Sequence, residues 1–143
     1  MTLAKDIQDD IITTLQGING APTYNNTMIS SRVKAGDEDL GGLIDVPAFR
    51  VIRGEDDFDR LPQNRAYRIL QFEIKMVFMH ADEDKVDSWI EDVVKAIAQD
   101  KTRGGNCHET WINTIGHSPE VLDHVLVYRV GIECRSESQF GTA

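Results

Sequence analysis

The densest gathering of reactive side chains in the sequence is Cys107-His108-Glu109, with His117 and His124 further along. A zinc site draws three or four such ligands to one point. Neighbours on a strand point to opposite faces, so Cys107 and His108 cannot both reach one ion from regular extended backbone. The same separation denies the Cys107 thiol the close, oriented base that a nucleophile needs. His80 stands beside Asp82 and Asp84 in a run that reads as a helix start. The carboxylate runs Asp37-Glu38-Asp39, Glu55-Asp56-Asp57 and Asp82-Glu83-Asp84 lack the spaced ligands, central Gly and closing Glu of a calcium loop. Gly36, Gly41 and Gly42 fit neither the P-loop nor the dinucleotide fingerprint. These residues predict no catalytic site, no metal site and no cofactor.

The elements that would carry them can be read from periodicity. Leu3, Ile7, Ile11, Leu15 and Ile18 recur at spacings of three and four, which predicts an amphipathic helix over Thr2–Gly17 with Thr2 as its cap. Pro22 and Asn25-Asn26 make a loop of 21–27, and 28–34 is a weak strand. Gly41-Gly42 and the acids before it predict a flexible loop near 35–45, followed by a strand over Ala48–Arg53. Residues 54–63, GEDDFDRLPQ, read as a second flexible loop. Its isolated Phe58 and Leu61, with Glu55, Asp56, Asp57 and Arg60 around them, are the candidate protein-contact residues, and Phe140 joins them.

The clearest strand is Tyr67–His80. Leu70, Phe72, Ile74, Met76 and Phe78 alternate with Gln71, Glu73 and Lys75, so one face is buried and the other polar. Ile69, Val77 and Met79 make the ends of that second face apolar. Asp82 is then expected to cap a second helix, with Val86, Trp89, Ile90, Val93 and Ile97 as its stripe. A strand over 107–115 and another over 124–135 flank Ser118-Pro119, a link too short for anything but an antiparallel hairpin. The tail, 136–143, shows no periodicity and reads as loose. The pattern predicts one α+β domain over 1–143: a two-layer sandwich of a mainly antiparallel sheet, four to five strands, with two amphipathic helices on one face.

Composition excludes several classes of function. The formal net charge is −9, and the basic residues are scattered singly, which argues against a nucleic-acid backbone or an anionic membrane as partner. No stretch approaches the roughly 20 apolar residues of a membrane span. Lys5, Asp6, Asp9 and Asp10 interrupt the N-terminal apolar pattern, so no secretory signal is read there and folding in a cytosol is expected. Two cysteines, Cys107 and Cys134, belong to no CxxC pair and read as small buried hydrophobes.

Four stretches carry a family resemblance. They are LQGINGAPTY (Leu15–Tyr24), FEIKMVFMHADEDKVDSWIEDVVKAI (Phe72–Ile97), DKTRGGNCHETWINTIG (Asp100–Gly116) and VYRVGIECRSE (Val127–Glu137). In this order the chain resembles the tail terminator, or tail-completion, proteins of long-tailed bacteriophages and phage-derived tail particles. Arg103 departs from the pattern, since an apolar residue is expected before the Gly pair. The resemblance implies a structural virion protein, located at the tail–head junction and assembled in the host cytoplasm. It implies a homohexameric ring that caps the tail tube, ends its growth and offers a docking face to the neck or head-completion protein. DNA would pass through the lumen without specific binding. A neck or head-completion connector of the same α+β plan stays open as an alternative, and a small enzyme as a third reading.

Overall fold

The structure, a computed structural model, describes residues 3–36, 47–62, 65–117 and 125–139, with only the backbone described at Leu61, Arg65, Ser138 and Gln139. The expected cap Thr2, the 37–45 part of the first expected loop, His124 and Phe140 lie outside the described residues. Helix α1 spans Leu3–Gln16 and α2 spans Val86–Ala98. The strands are β1 (Val33–Ala35), β2 (Ala48–Arg53), β3 (Asp57–Leu61), β4 (Arg65–Met79), β5 (Glu109–His117) and β6 (Val125–Gln139). They form one six-stranded sheet in the order β1-β2-β4-β6-β5, with β3 paired to β4 beyond the end of β2. Every pairing is antiparallel except β1 with β2.

The long alternating pattern does what it predicts. Leu70, Phe72, Ile74, Met76 and Phe78 are all buried on one face of β4, where β6 contributes Val130, Ile132 and Cys134 and β2 contributes Phe49 and Val51. Ala4, Ile7, Ile11 and Leu15 of α1 and Val86, Trp89, Val93, Ala96 and Ile97 of α2 join those residues in a single core cluster. Each large side chain so buried contributes about 1.5–3 kcal/mol before entropy is counted. On the opposite face, Ala48, Val77 and Val127 are buried in a second, small cluster.

Four expectations are corrected. Residues 54–63 are not all loop: Asp57–Leu61 pairs with Arg65–Ile69 as a strand, because β4 runs two residues further back than its hydrophobic pattern shows. The tail 136–143 is not wholly loose, since Ser136–Gln139 pairs with Arg65–Arg68. With β3 included the sheet has six strands. Asp82 does not cap α2. It sits at φ −101°, ψ 19° inside a 3-10 turn over His80–Lys85 and makes an ion pair with Lys85 at 3.5 Å. The polar face of β4 is also less solvated than alternation suggests: Lys75, and Arg50 opposite it, are each only 2% exposed.

The Asp-x-Thr-x-Gly-Gly stretch explains the departure at Arg103. Arg103, Gly104 and Gly105 all have positive φ (49°, 68° and 89°), so the chain leaves α2 through three left-handed residues. Only Gly does this without cost, and Arg103 carries about 1–2 kcal/mol of backbone strain. The Asp100 carboxylate holds the turn, accepting from Thr102 N and Oγ1 (both 3.1 Å) and Gly104 N (2.8 Å). The Arg103 side chain is completely buried; Nη2 donates to Ile97 O at 2.7 Å and Nε to Asp100 O at 2.8 Å. Those are carbonyls that the end of α2 leaves unsatisfied. An apolar residue could pack there but could not satisfy them.

A second polar anchor fixes the loop of 21–27. Asp92 on α2 is 1% exposed and accepts from the backbone N–H of Asn25 and Asn26 (both 2.8 Å) and from Asn26 Nδ2 (2.9 Å). The connection between α1 and β1 is thereby tied to α2.

Candidate interaction surface

The described candidate contact residues, Glu55 to Asp57, Phe58, Arg60 and Leu61, lie on or just before β3, in an arm made of β3, the start of β4 and the end of β6. Phe58 sits opposite Arg68 and is 54% exposed. Asp56 accepts from Arg68 Nη2 at 2.6 Å and Nε at 2.9 Å, and from Arg53 at 3.3 Å. Asp57 accepts from Gln71 at 2.6 Å. These two carboxylates therefore brace the Gly54–Asp56 bend that lets β3 take over from β2 along the same edge of β4. Glu55 and Arg60 are exposed, and the backbone of Leu61 ends β3. The structure thus brings Phe58, Glu55 and Arg60 to the arm's surface and gives Asp56 and Asp57 partners within the chain.

Across the other sheet face, away from the main core, two features cross the strands. Tyr67, Arg135 and Trp111 stack, with the Arg135 guanidinium 4.9 Å from the Tyr67 ring and 5.1 Å from the Trp111 ring. Arg135 Nε, enclosed between them, has no hydrogen-bond partner. The second is a row of basic residues, Lys34, Arg50, Lys75 and Arg129, placed opposite one another by strand register. Like charges directly opposite destabilise a sheet. Glu73 relieves the row at one end by accepting from Arg129 at 2.5 Å, and Arg50 Nη1 donates to Arg32 O and Phe49 O.

Among the described residues, those with reactive chemistry do not converge. His80 and His108 are exposed, and the His117 ring meets Tyr128 edge-on at 5.0 Å. Among the described residues there is no group of three or more His, Cys, Asp or Glu able to hold a metal ion. Cys107 and Cys134 are buried and both face the Thr110 hydroxyl, at 3.4 and 3.6 Å. The hydrogen bond from Cys134 holds the Cys107 thiol down at about 7, while that contact and burial push Cys134 up. Among the described residues, neither thiol has an imidazole or carboxylate hydrogen-bonded to it. A cleft of about 260 Å³ opens between Met28, Ile29, Phe49, Phe78 and Trp89, and it too gathers no catalytic set. No described helix is long and apolar enough to cross a membrane.

No protein-family model and no curated protein matches the chain. Solved structures do. A chain from the virion of native gene transfer agent (GTA) particle superimposes with a TM-score of 0.65 at 14% identity, covering 96% of this chain and 98% of that chain. This chain has that virion chain's fold.

Sequence reasoning passed over the Tyr67–Arg135–Trp111 stack. Its signal was present in part: Tyr67 and Arg135 fall on the odd, non-core positions of their strands. Their pairing depended on the register of β4, β5 and β6, which the sequence alone does not state.

Proposed function

We propose that this chain is a virion assembly protein of the tail-terminator type, forming a ring, hexameric by the family resemblance, on the end of a tail tube. The observation that carries this reading is near end-to-end agreement of fold with a gene transfer agent virion chain. The surface supports it. Phe58 on the arm, Ile29 beside the cleft, Met79 at the far end of β4 and Ile115 on β5 are large, apolar and 42–54% exposed. They sit at separate places, as a subunit that touches several neighbours requires. A ring needs a heterologous interface whose rotation closes. One face of the ring would stop tube growth and the other would receive the neck or head-completion protein. DNA would pass through the lumen without specific contact.

The test is complementation of a producer that lacks the gene. Without the protein, tails should grow past normal length or fail to join heads, and the wild-type gene should restore both. Normal-length tails attached to heads in the deletion would refute the reading. Normal tail length with failed joining, and binding to portal complexes instead of tubes, would transfer the chain to the neck.

A further inference from the structure

The chain's two cysteines stand far apart in sequence and meet in the fold. Cys107 closes the turn that leaves α2, its N–H donating to Thr102 O at 3.0 Å. Cys134 lies on β6 with Thr110 of β5 as its cross-strand partner. Cys107 Sγ is 3.4 Å from Thr110 Oγ1, and that same oxygen is 3.6 Å from Cys134 Sγ. The two thiols are also hydrogen-bonded to each other. A cysteine placed for packing alone needs no second sulfur beside it.

Their surroundings fit them for separate roles. Cys134 is fully buried, and the contact with Cys107 and burial both push its thiol up. Cys107 is 7% exposed and lies under a surface turn, with Gly104 and Gly105 exposed before it and His108 exposed after it. The hydrogen bond from Cys134 brings the Cys107 thiol down to about 7, and the Arg103 charge adds to that. A large share of it is therefore thiolate near neutral pH, and the thiolate is the attacking species in disulfide exchange. A reachable thiolate above a buried thiol is the arrangement of an attacking and a resolving sulfur. Bonding needs the sulfurs to close to about 2 Å. The turn has room to move, since a Cβ built on Gly105 would meet nothing within 4 Å.

We propose that Cys107 and Cys134 form a reversible disulfide when the folded chain meets a small-molecule disulfide, locking the α2–β5 turn to β6. The Cys107 thiolate attacks one sulfur of the oxidant, forming a mixed disulfide and releasing one thiolate. Cys134 then loses its proton to solvent and attacks the Cys107 sulfur, expelling the second thiolate. The cysteine pair gives up two electrons, and the external disulfide is reduced to two thiols. The new bond closes a loop that contains all of β5. A chain assembled in a reducing cytosol and released in a particle meets an oxidising medium only afterwards, so the lock would close after assembly. That timing rests on the virion reading, and the exchange chemistry does not.

The experiment incubates the folded full chain with oxidised glutathione, caps remaining thiols by alkylation, and reads intact mass, linked peptides and melting temperature. The chain should lose the mass of two hydrogens and yield one peptide pair joining Cys107 to Cys134. Its melting temperature should rise by about 5–10 °C, as closing a loop of this size does, and fall back with dithiothreitol. Cys134→Ala should stop with one glutathione on Cys107, and Cys107→Ala should take up none. The wild-type readings stand even if a variant fails to fold. A wild-type chain that keeps both thiols free, retains glutathione on Cys107, links to a second chain, or closes the bond only in urea overturns the proposal. So does a linked chain whose melting temperature does not rise. A chain that closes the bond as expected yet binds no tail tube leaves the lock standing and counts against the ring.

Discussion

Arg103 is the residue whose loss should cost the fold most per atom removed. Replacing it with Met keeps much of the volume of a fully buried side chain but deletes every donor. Ile97 O and Asp100 O, now bonded at 2.7 and 2.8 Å, would be left with unsatisfied lone pairs at the end of α2. Each orphaned acceptor costs about 1–3 kcal/mol. The backbone strain at φ 49° stays, since Met tolerates it no better than Arg. The expected loss is about 4 kcal/mol, a large part of the stability of a domain this size and roughly 15 °C in melting temperature. The ion pair from Arg103 to Asp10 at 3.3 Å is a smaller matter. Desolvation pushes the Asp10 carboxyl above its ordinary value of 3.8 and outweighs the guanidinium. Asp10→Asn should therefore cost less than about 1 kcal/mol. Urea titration of both variants, followed by circular dichroism, decides the matter. If Asp10→Asn costs as much as Arg103→Met, the pair and not carbonyl capture holds the turn. If Arg103→Met costs under about 1 kcal/mol, the whole account of the Asp-x-Thr-x-Gly-Gly turn is wrong.

Asp92→Ala removes the acceptor for two backbone N–H groups and should cost about 3 kcal/mol, with faster amide exchange at Asn25 and Asn26 as the local readout. Met76→Asp puts a carboxylate into the core and should unfold the chain, whereas Glu73→Gln loses only a half-exposed ion pair and should cost at most about 1 kcal/mol by thermal melting. Burial pushes the Asp100 carboxyl up, but the hydrogen bonds from Gly104 and Thr102 and the Arg103 charge prevail and hold it below 3.8. Its contribution is thus complete above pH 3.8 and is lost as pH falls below that value, so Asp100→Asn should lower stability at pH 7 and flatten its decline in acid. Phe58→Ser should leave the melting temperature within about 1 °C and weaken assembly, measured by sedimentation with tail tubes.

Much of the layer structure was legible because burial leaves a period in the sequence. The even positions of β4, the stripes of α1 and α2, and the β5–β6 hairpin all follow from spacing. The arm was not legible. Phe58 and Leu61 are separated by charges and show no alternation, because β3 packs against no second layer at Phe58. Truncation after Arg135 would remove the partners of Arg65–Arg68 and should destabilise the arm. The α2 start was misread because Asp82 looks like a cap while the backbone there makes a 3-10 turn. Arg103 looked out of place for the opposite reason: its partners are main-chain carbonyls, which leave no mark in a sequence.

The central claim is that the chain ends a tail tube as a ring. The most direct measurement is electron microscopy of purified tubes from a deletion producer after adding gold-labelled chain, with bound copies counted per tube. The account predicts label confined to one end of each tube, six copies together, about 97 kDa from subunits of 16.1 kDa. Label scattered along the tube wall, or none at either end, would contradict it.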